Sequence, residues 1–224
     1  DVLCDRAAQA GTAAVCVWPD FVALAADRLT GLPIAVATVV NFPTGDERPF
    51  AVGVLTDRAL DDGADEIDVV LPYRAFAGGD RDRADAVLST VRSATDGRAL
   101  MKVILETGEL GAPELVREAA HFAIEHGADF VKTSTGKSKV SATPEAARAM
   151  LDEIAAADRS VGLKPSGGIG SAADADTYLS LAEATMGADF LQPATFRFGA
   201  SGVLDALLAV AGGGTSASSG GDTY

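Results

Sequence analysis

The chain has 224 residues, 48% hydrophobic and 22% charged, and its 18 Lys and Arg against 32 Asp and Glu give a net charge of −14. That length and composition exclude a disordered polyelectrolyte and fit one large globular domain or two small ones. No basic arm exists to follow nucleic-acid phosphates, and no apolar run approaches the roughly 20 residues that span a bilayer. The first residues lack the basic end and apolar stretch of a signal peptide, and Cys4 and Cys16 make no disulfide framework. A cytoplasmic enzyme acting on small molecules, with no nucleic-acid or membrane partner, is the expectation.

In chain order, a helical opening at Asp1–Ala10 precedes seven short β-rich runs: Ala14–Trp18, Ile34–Asn41, Glu66–Leu71, Leu100–Glu106, Phe130–Ser134, Val161–Ser166 and Asp189–Thr195. They are near-continuous apolar runs, as in parallel strands covered on both faces. Helical patterns separate them. Thr143-Pro144 is an N-cap followed by proline, Ser171 with Asp174 forms a capping box, and Gly127 and Gly187 stand where helices close. Gly-Ala-Asp recurs at residues 63–65, 127–129 and 187–189, each time at a helix-to-strand junction.

Alternating β and α units leave an open doubly wound sheet or a closed (β/α)8 TIM barrel. The open sheet calls for a glycine-rich dinucleotide loop after its first strand, and none stands there. The barrel is the expected fold, with residues 1–211 as its catalytic domain. It needs eight strands, so the first is expected to be missing from this sequence. Residues 212–224 form a Gly/Ser-rich tail ending in Tyr224.

Only five lysines occur, and Lys102, Lys132 and Lys164 fall inside apolar strand-like runs, where an ammonium is costly unless paired. Strand alternation puts Lys102, Ile104 and Glu106 on one face. Lys102 and Glu106 suit either a registry-fixing ion network or a site. Lys132 and Lys164 each stand just before a polar, glycine-containing turn at a strand's C-terminal end, where barrels carry their active sites. Two ammoniums facing one pocket lower one another's pKa, and burial lowers it further. A neutral amine can then attack a carbonyl and form a Schiff base, chemistry that needs no metal or other cofactor. His121 and His126, five apart, cannot serve one metal ligand set. Glycine turns at Ser166–Ser171 and Arg197–Gly202, each leading into a helix, suit a phosphate.

Phe130-Val131-Lys132-Thr133-Ser134-Thr135-Gly136-Lys137 and Val161-Gly162-Leu163-Lys164-Pro165-Ser166-Gly167-Gly168 resemble the two lysine motifs of the deoxyribose-phosphate aldolase family. Glu66–Arg74, Val103–Leu110, Asn41-Phe42-Pro43 and Arg197–Ser201 also match its pattern, so the likeness runs nearly end to end. The resemblance implies a class I lyase that cleaves 2-deoxy-D-ribose 5-phosphate reversibly to glyceraldehyde 3-phosphate and acetaldehyde, in deoxyribose phosphate catabolism. It implies Lys132 as the Schiff-base residue, Lys164 as the neighbour that lowers its pKa, and Asp68 as acid/base. Tyr224 would help move the enamine proton. Cys16 would line the pocket, though a small core residue is an equally open reading. Thr135, Gly136, Lys137, Gly167, Gly168, Gly199 and Ser201 match substrate- and phosphate-binding positions, and a homodimer is expected.

The family's Asp-Leu-Thr strand has no counterpart here. Gly170 and Gly202 replace a basic residue and a serine found in many members, and the tail before Tyr224 differs in length. Another Schiff-base sugar-phosphate aldolase or transaldolase barrel, or a silent phosphate-binding barrel, remains an alternative.

Overall fold

The computed structural model describes residues 2–212. Helix α1 (Val2–Ala10) leads into β1 (Ala14–Val17), α2 (Val22–Arg28), β2 (Ala35–Val40), α3 (Pro49–Asp61) and β3 (Glu66–Val70). Then come α4 (Tyr73–Ala77), α5 (Arg81–Thr95), β4 (Leu100–Ile104), α6 (Thr107–Leu110), α7 (Pro113–Glu125) and β5 (Phe130–Lys132). The last elements are α8 (Pro144–Ala156), β6 (Gly162–Lys164), α9 (Ala172–Met186) and α10 (Gly202–Ala211). All strand pairs are parallel, and the sheet runs β1-β2-β3-β4-β5-β6 without a crossover in its order. Branched apolar residues of the strands are buried under the outer helices, so strand runs read as continuous rather than alternating.

The sheet is curled. Arg197, in the segment that pairs beyond β6, places Nη1 2.7 Å from Glu66 Oε1 on β3. In a flat sheet those positions would stand four strand spacings apart, ~19 Å, more than the two side chains can bridge. Curling makes one face an interior, and the register decides what fills it. Asp68 stands opposite Lys102, and Lys132 stands opposite both Ile104 and Lys164.

The Gly-Ala-Asp repeat acts as a strand clamp. Asp65 donates its N–H to Val36 O and accepts Val36 N–H on Oδ2, both at 2.8 Å. Asp129 does the same to Met101, again at 2.8 Å for both bonds. Each aspartate thereby fixes where its strand starts against the preceding one.

The third copy breaks the pattern, and the seventh expected strand, Asp189–Thr195, is corrected. Ala188–Phe190 is a 3-10 turn. Pro193 has no N–H for a ladder, and the Thr195 hydroxyl donates back to Phe190 O at 2.6 Å. Pairing begins later, through isolated bridges of Phe196 with Leu163 on β6 and of Gly199 with Ser166 just beyond it. Six strands and this bridged segment form an α/β half-barrel arc among the described residues, against the seven strands expected.

The expected caps are present. The Thr143 side chain accepts from Ala146 N–H, and Ser171 and Asp174 form a reciprocal capping box at α9. Gly127 and Gly187 both take positive φ at helix ends. No helix among the described residues is long and apolar enough to cross a membrane.

Candidate active site

Four consecutive strands, β3 to β6, each contribute charged groups to one buried cluster. Asp68, on the fully buried strand β3, stands at its centre. Its Oδ1 accepts from Lys102 Nζ at 2.7 Å, and its Oδ2 accepts from both Lys132 Nζ and Lys164 Nζ at 2.8 Å. Lys102 also lies 2.6 Å from Glu66 Oε2, and Arg197 closes the chain with a two-oxygen grip on Glu66. The Arg197 guanidinium lies 5.1 Å from the Phe130 ring centroid, a cation–π contact.

Two carboxylates thus face four cationic side chains, Lys102, Lys132, Lys164 and Arg197. Removing a proton from one lysine relieves that excess. Burial pushes Asp68 up, but the three surrounding ammoniums outweigh it and hold the carboxyl well below its usual range. Burial pulls Lys132 below the ordinary lysine value; Asp68 opposes the change and the Lys164 charge adds to it. Burial also pulls on Lys164, yet there Asp68 prevails and the ammonium is held above its ordinary value. Two lysines bonded to one oxygen are therefore unequal, with Lys132 the better nucleophile and Lys164 the firmer cation.

The loops beyond the strands are tied together over this cluster. Thr133 Oγ1 donates to Ser166 O and accepts Ser166 N–H, and Ser166 Oγ donates to Gly199 O. Gly167 takes a positive φ (+82°), and a Cβ there would stand 2.6 Å from Ser141 Oγ. At Gly199 a Cβ would lie 2.6 Å from Ser166 Oγ and 3.2 Å from Lys164 Cε, so glycine leaves room for the lysine stem. Gly136, Lys137, Gly168 and Ser201 are exposed on the rim, and Thr135 is half-buried. At the start of α9, the Asp174 carboxylate already accepts from Gly170 and Ser171 N–H. The start of α10 is different, because Ser201 makes no side-chain cap bond. An anion therefore finds its freer helix terminus at α10.

Cys16, on β1, is exposed rather than a core residue. Tyr224 lies outside the described residues. His121 pairs with Glu153, and His126 stacks on Phe122 and contacts Asp85, so neither faces the cluster. No group of three or more His, Cys, Asp or Glu able to hold a metal occurs among the described residues. Sequence reasoning located Lys102 without its partners and missed the Glu66–Arg197 grip. The signal for the first was Glu66-x-Asp68 alternation on the strand paired with β4; nothing local marked Arg197.

Residues 1–208 match the DeoC/LacD family of aldolases. A deoxyribose-phosphate aldolase of Agrobacterium fabrum is 51% identical over 215 residues, covering 95% of this chain and 83% of its own. Among solved structures, a candidate deoxyribose-phosphate aldolase of Toxoplasma gondii is 28% identical with a TM-score of 0.83, covering 92% of this chain and 86% of its own. The tetrameric deoxyribose phosphate aldolase of Aeropyrum pernix, 23% identical, shares the fold with a TM-score of 0.76, covering 93% of this chain and 81% of its own. With a matching family pattern over nearly its whole length and a buried two-lysine cluster at its centre, the chain belongs to the DeoC/LacD aldolase family.

Proposed function

We propose that this chain is a class I aldolase that reversibly cleaves 2-deoxy-D-ribose 5-phosphate to D-glyceraldehyde 3-phosphate and acetaldehyde. The observation that carries this reading is the buried convergence of Lys132 and Lys164 on Asp68 Oδ2, each at 2.8 Å, where burial and the neighbouring Lys164 charge make the Lys132 amine easier to deprotonate. Neutral Lys132 adds to the C1 aldehyde, and loss of water leaves a protonated imine. A base removes the C3 hydroxyl proton, the C2–C3 bond breaks, and its electron pair ends in an enamine while glyceraldehyde 3-phosphate departs. Protonation at C2 and hydrolysis then release acetaldehyde and free Lys132. Asp68 and Lys164, already hydrogen-bonded, form the proton relay. Tyr224 would assist the C2 protonation.

Backbone N–H groups at Gly136, Gly167 and Gly168, the Ser201 hydroxyl and Lys137, with the start of α10, would hold the phosphate, while Gly199, whose N–H is given to Pro165 O at 2.8 Å, would leave room for the Lys164 stem beside it. Thr135 would order that rim, and Cys16 would stand at the entrance. The curl of the six-stranded arc suits a (β/α)8 barrel. A cytoplasmic homodimer is the working assembly, and sedimentation equilibrium gives its mass. A coupled assay for both aldehydes should show turnover of deoxyribose 5-phosphate and none by Lys132→Ala. Equal or better cleavage of another sugar phosphate would overturn the substrate assignment.

A further inference from the structure

Glu106 stands two residues past the end of β4, yet it takes no part in the lysine–aspartate cluster. Its backbone is left-handed (φ 55°, ψ 58°), a conformation that a non-glycine residue holds only where its surroundings require it. Its side chain is fully buried, an expensive place for a carboxyl without an ammonium partner. What it meets instead is the turn after β5. Glu106 Oε2 accepts from the Thr135 backbone N–H at 3.3 Å and from the Thr135 hydroxyl. Oε1 is buried and bonded to no protein group among the described residues.

The Thr135 hydroxyl cannot point two ways. Donating to Glu106, it keeps its lone pairs for the Lys137 N–H, which it accepts at 3.0 Å. Glu106 therefore fixes Lys137 through one intervening side chain. The same segment grips the loop again two residues on. Gly108 lies against the Val140 carbonyl so closely that any Cβ would overlap it. On the other flank, Gly167 presses on Ser141 and on Gly136 Cα. The loop is held on both sides, and Glu106 is the only carboxylate that bonds to Thr135 among the described residues. Burial raises the Glu106 carboxyl, and the two Thr135 bonds, with the Ser138 side chain, pull against that rise.

We propose that Glu106 is a positioning residue that orders the Thr135–Lys137 turn and so sets the preference for a phosphorylated over an unphosphorylated substrate. The proposal rests on the phosphate reading of that turn. Three variants test it by their KM for 2-deoxyribose 5-phosphate, their kcat/KM for unphosphorylated 2-deoxyribose, and borohydride trapping with acetaldehyde. Glu106→Leu should raise the first about tenfold or more and leave the other two near wild type. Glu106→Gln, which keeps an acceptor for Thr135, should restore most of the affinity. Equal losses on both substrates, or no loss on either, would overturn the proposal. Should Glu106→Leu not fold, Glu106→Asp draws the acceptor back by one methylene. An unchanged KM for the phosphorylated substrate in that variant also overturns it. Acetaldehyde carries no phosphate, so failure of wild-type trapping would count against the Lys132 mechanism and not against Glu106.

Discussion

Asp68 holds two lysines on one oxygen, and the asymmetry between them governs how the site responds to pH. Lys132 sits below the ordinary lysine pKa, so its reactive neutral fraction grows as pH rises through that lowered value. The acid limb of kcat/KM should accordingly lie below the ordinary lysine value. In Lys164→Leu the like charge is gone and Asp68 acts on Lys132 with one competitor fewer. The limb should move to higher pH and the rate at neutral pH should fall at least tenfold, read from a pH–rate profile. An unmoved limb would show that Lys164 does not set the Lys132 pKa. At this scale the sequence was unusually legible, because lysines inside apolar runs have few structural uses. It marked Lys132, Lys164 and Asp68, whereas the Lys102–Asp68 and Arg197–Glu66 bonds depend on register and curl. Those are relations between strands 34 and 131 residues apart, which no local pattern encodes.

Strands and turns follow the same logic of close approach. Gly162 on β6 lies under the Phe130 ring of β5, and a Cβ there would intrude on the ring. Gly162→Ala should therefore cost about 1–3 kcal/mol by overpacking, measured by urea unfolding. Gly199→Ala differs, since its Cβ would meet Ser166 Oγ and the Lys164 stem. It should lower kcat with a smaller change in Tm. The strands of the first six units were legible from β-rich apolar runs, and their ends shift by only a residue or two. The seventh was misplaced because Asp189–Thr195 has the composition of a strand, while Pro193 and a 3-10 turn deny it a ladder. The Gly-Ala-Asp repeat marks helix-to-strand junctions in the sequence, and in its first two copies it is an aspartate clamp on a neighbouring peptide.

Across the whole molecule, a net charge of −14 surrounds an interior in which cations outnumber carboxylates. Most of the acids are on the outside, paired with arginines or solvated, where single pairs add little stability. In the proposed mechanism the few lysines carry the chemistry because curl brings them to one buried carboxylate, where an excess of positive charge favours losing a proton. Charge totals alone would have predicted poor binding of any phosphate. Treatment with 2-deoxyribose 5-phosphate and sodium borohydride, followed by peptide mapping, tests this account most directly. A reduced, stable adduct should appear on Lys132 and be absent from Lys132→Ala; an adduct on Lys164 or Lys102, or none in wild type, would contradict it.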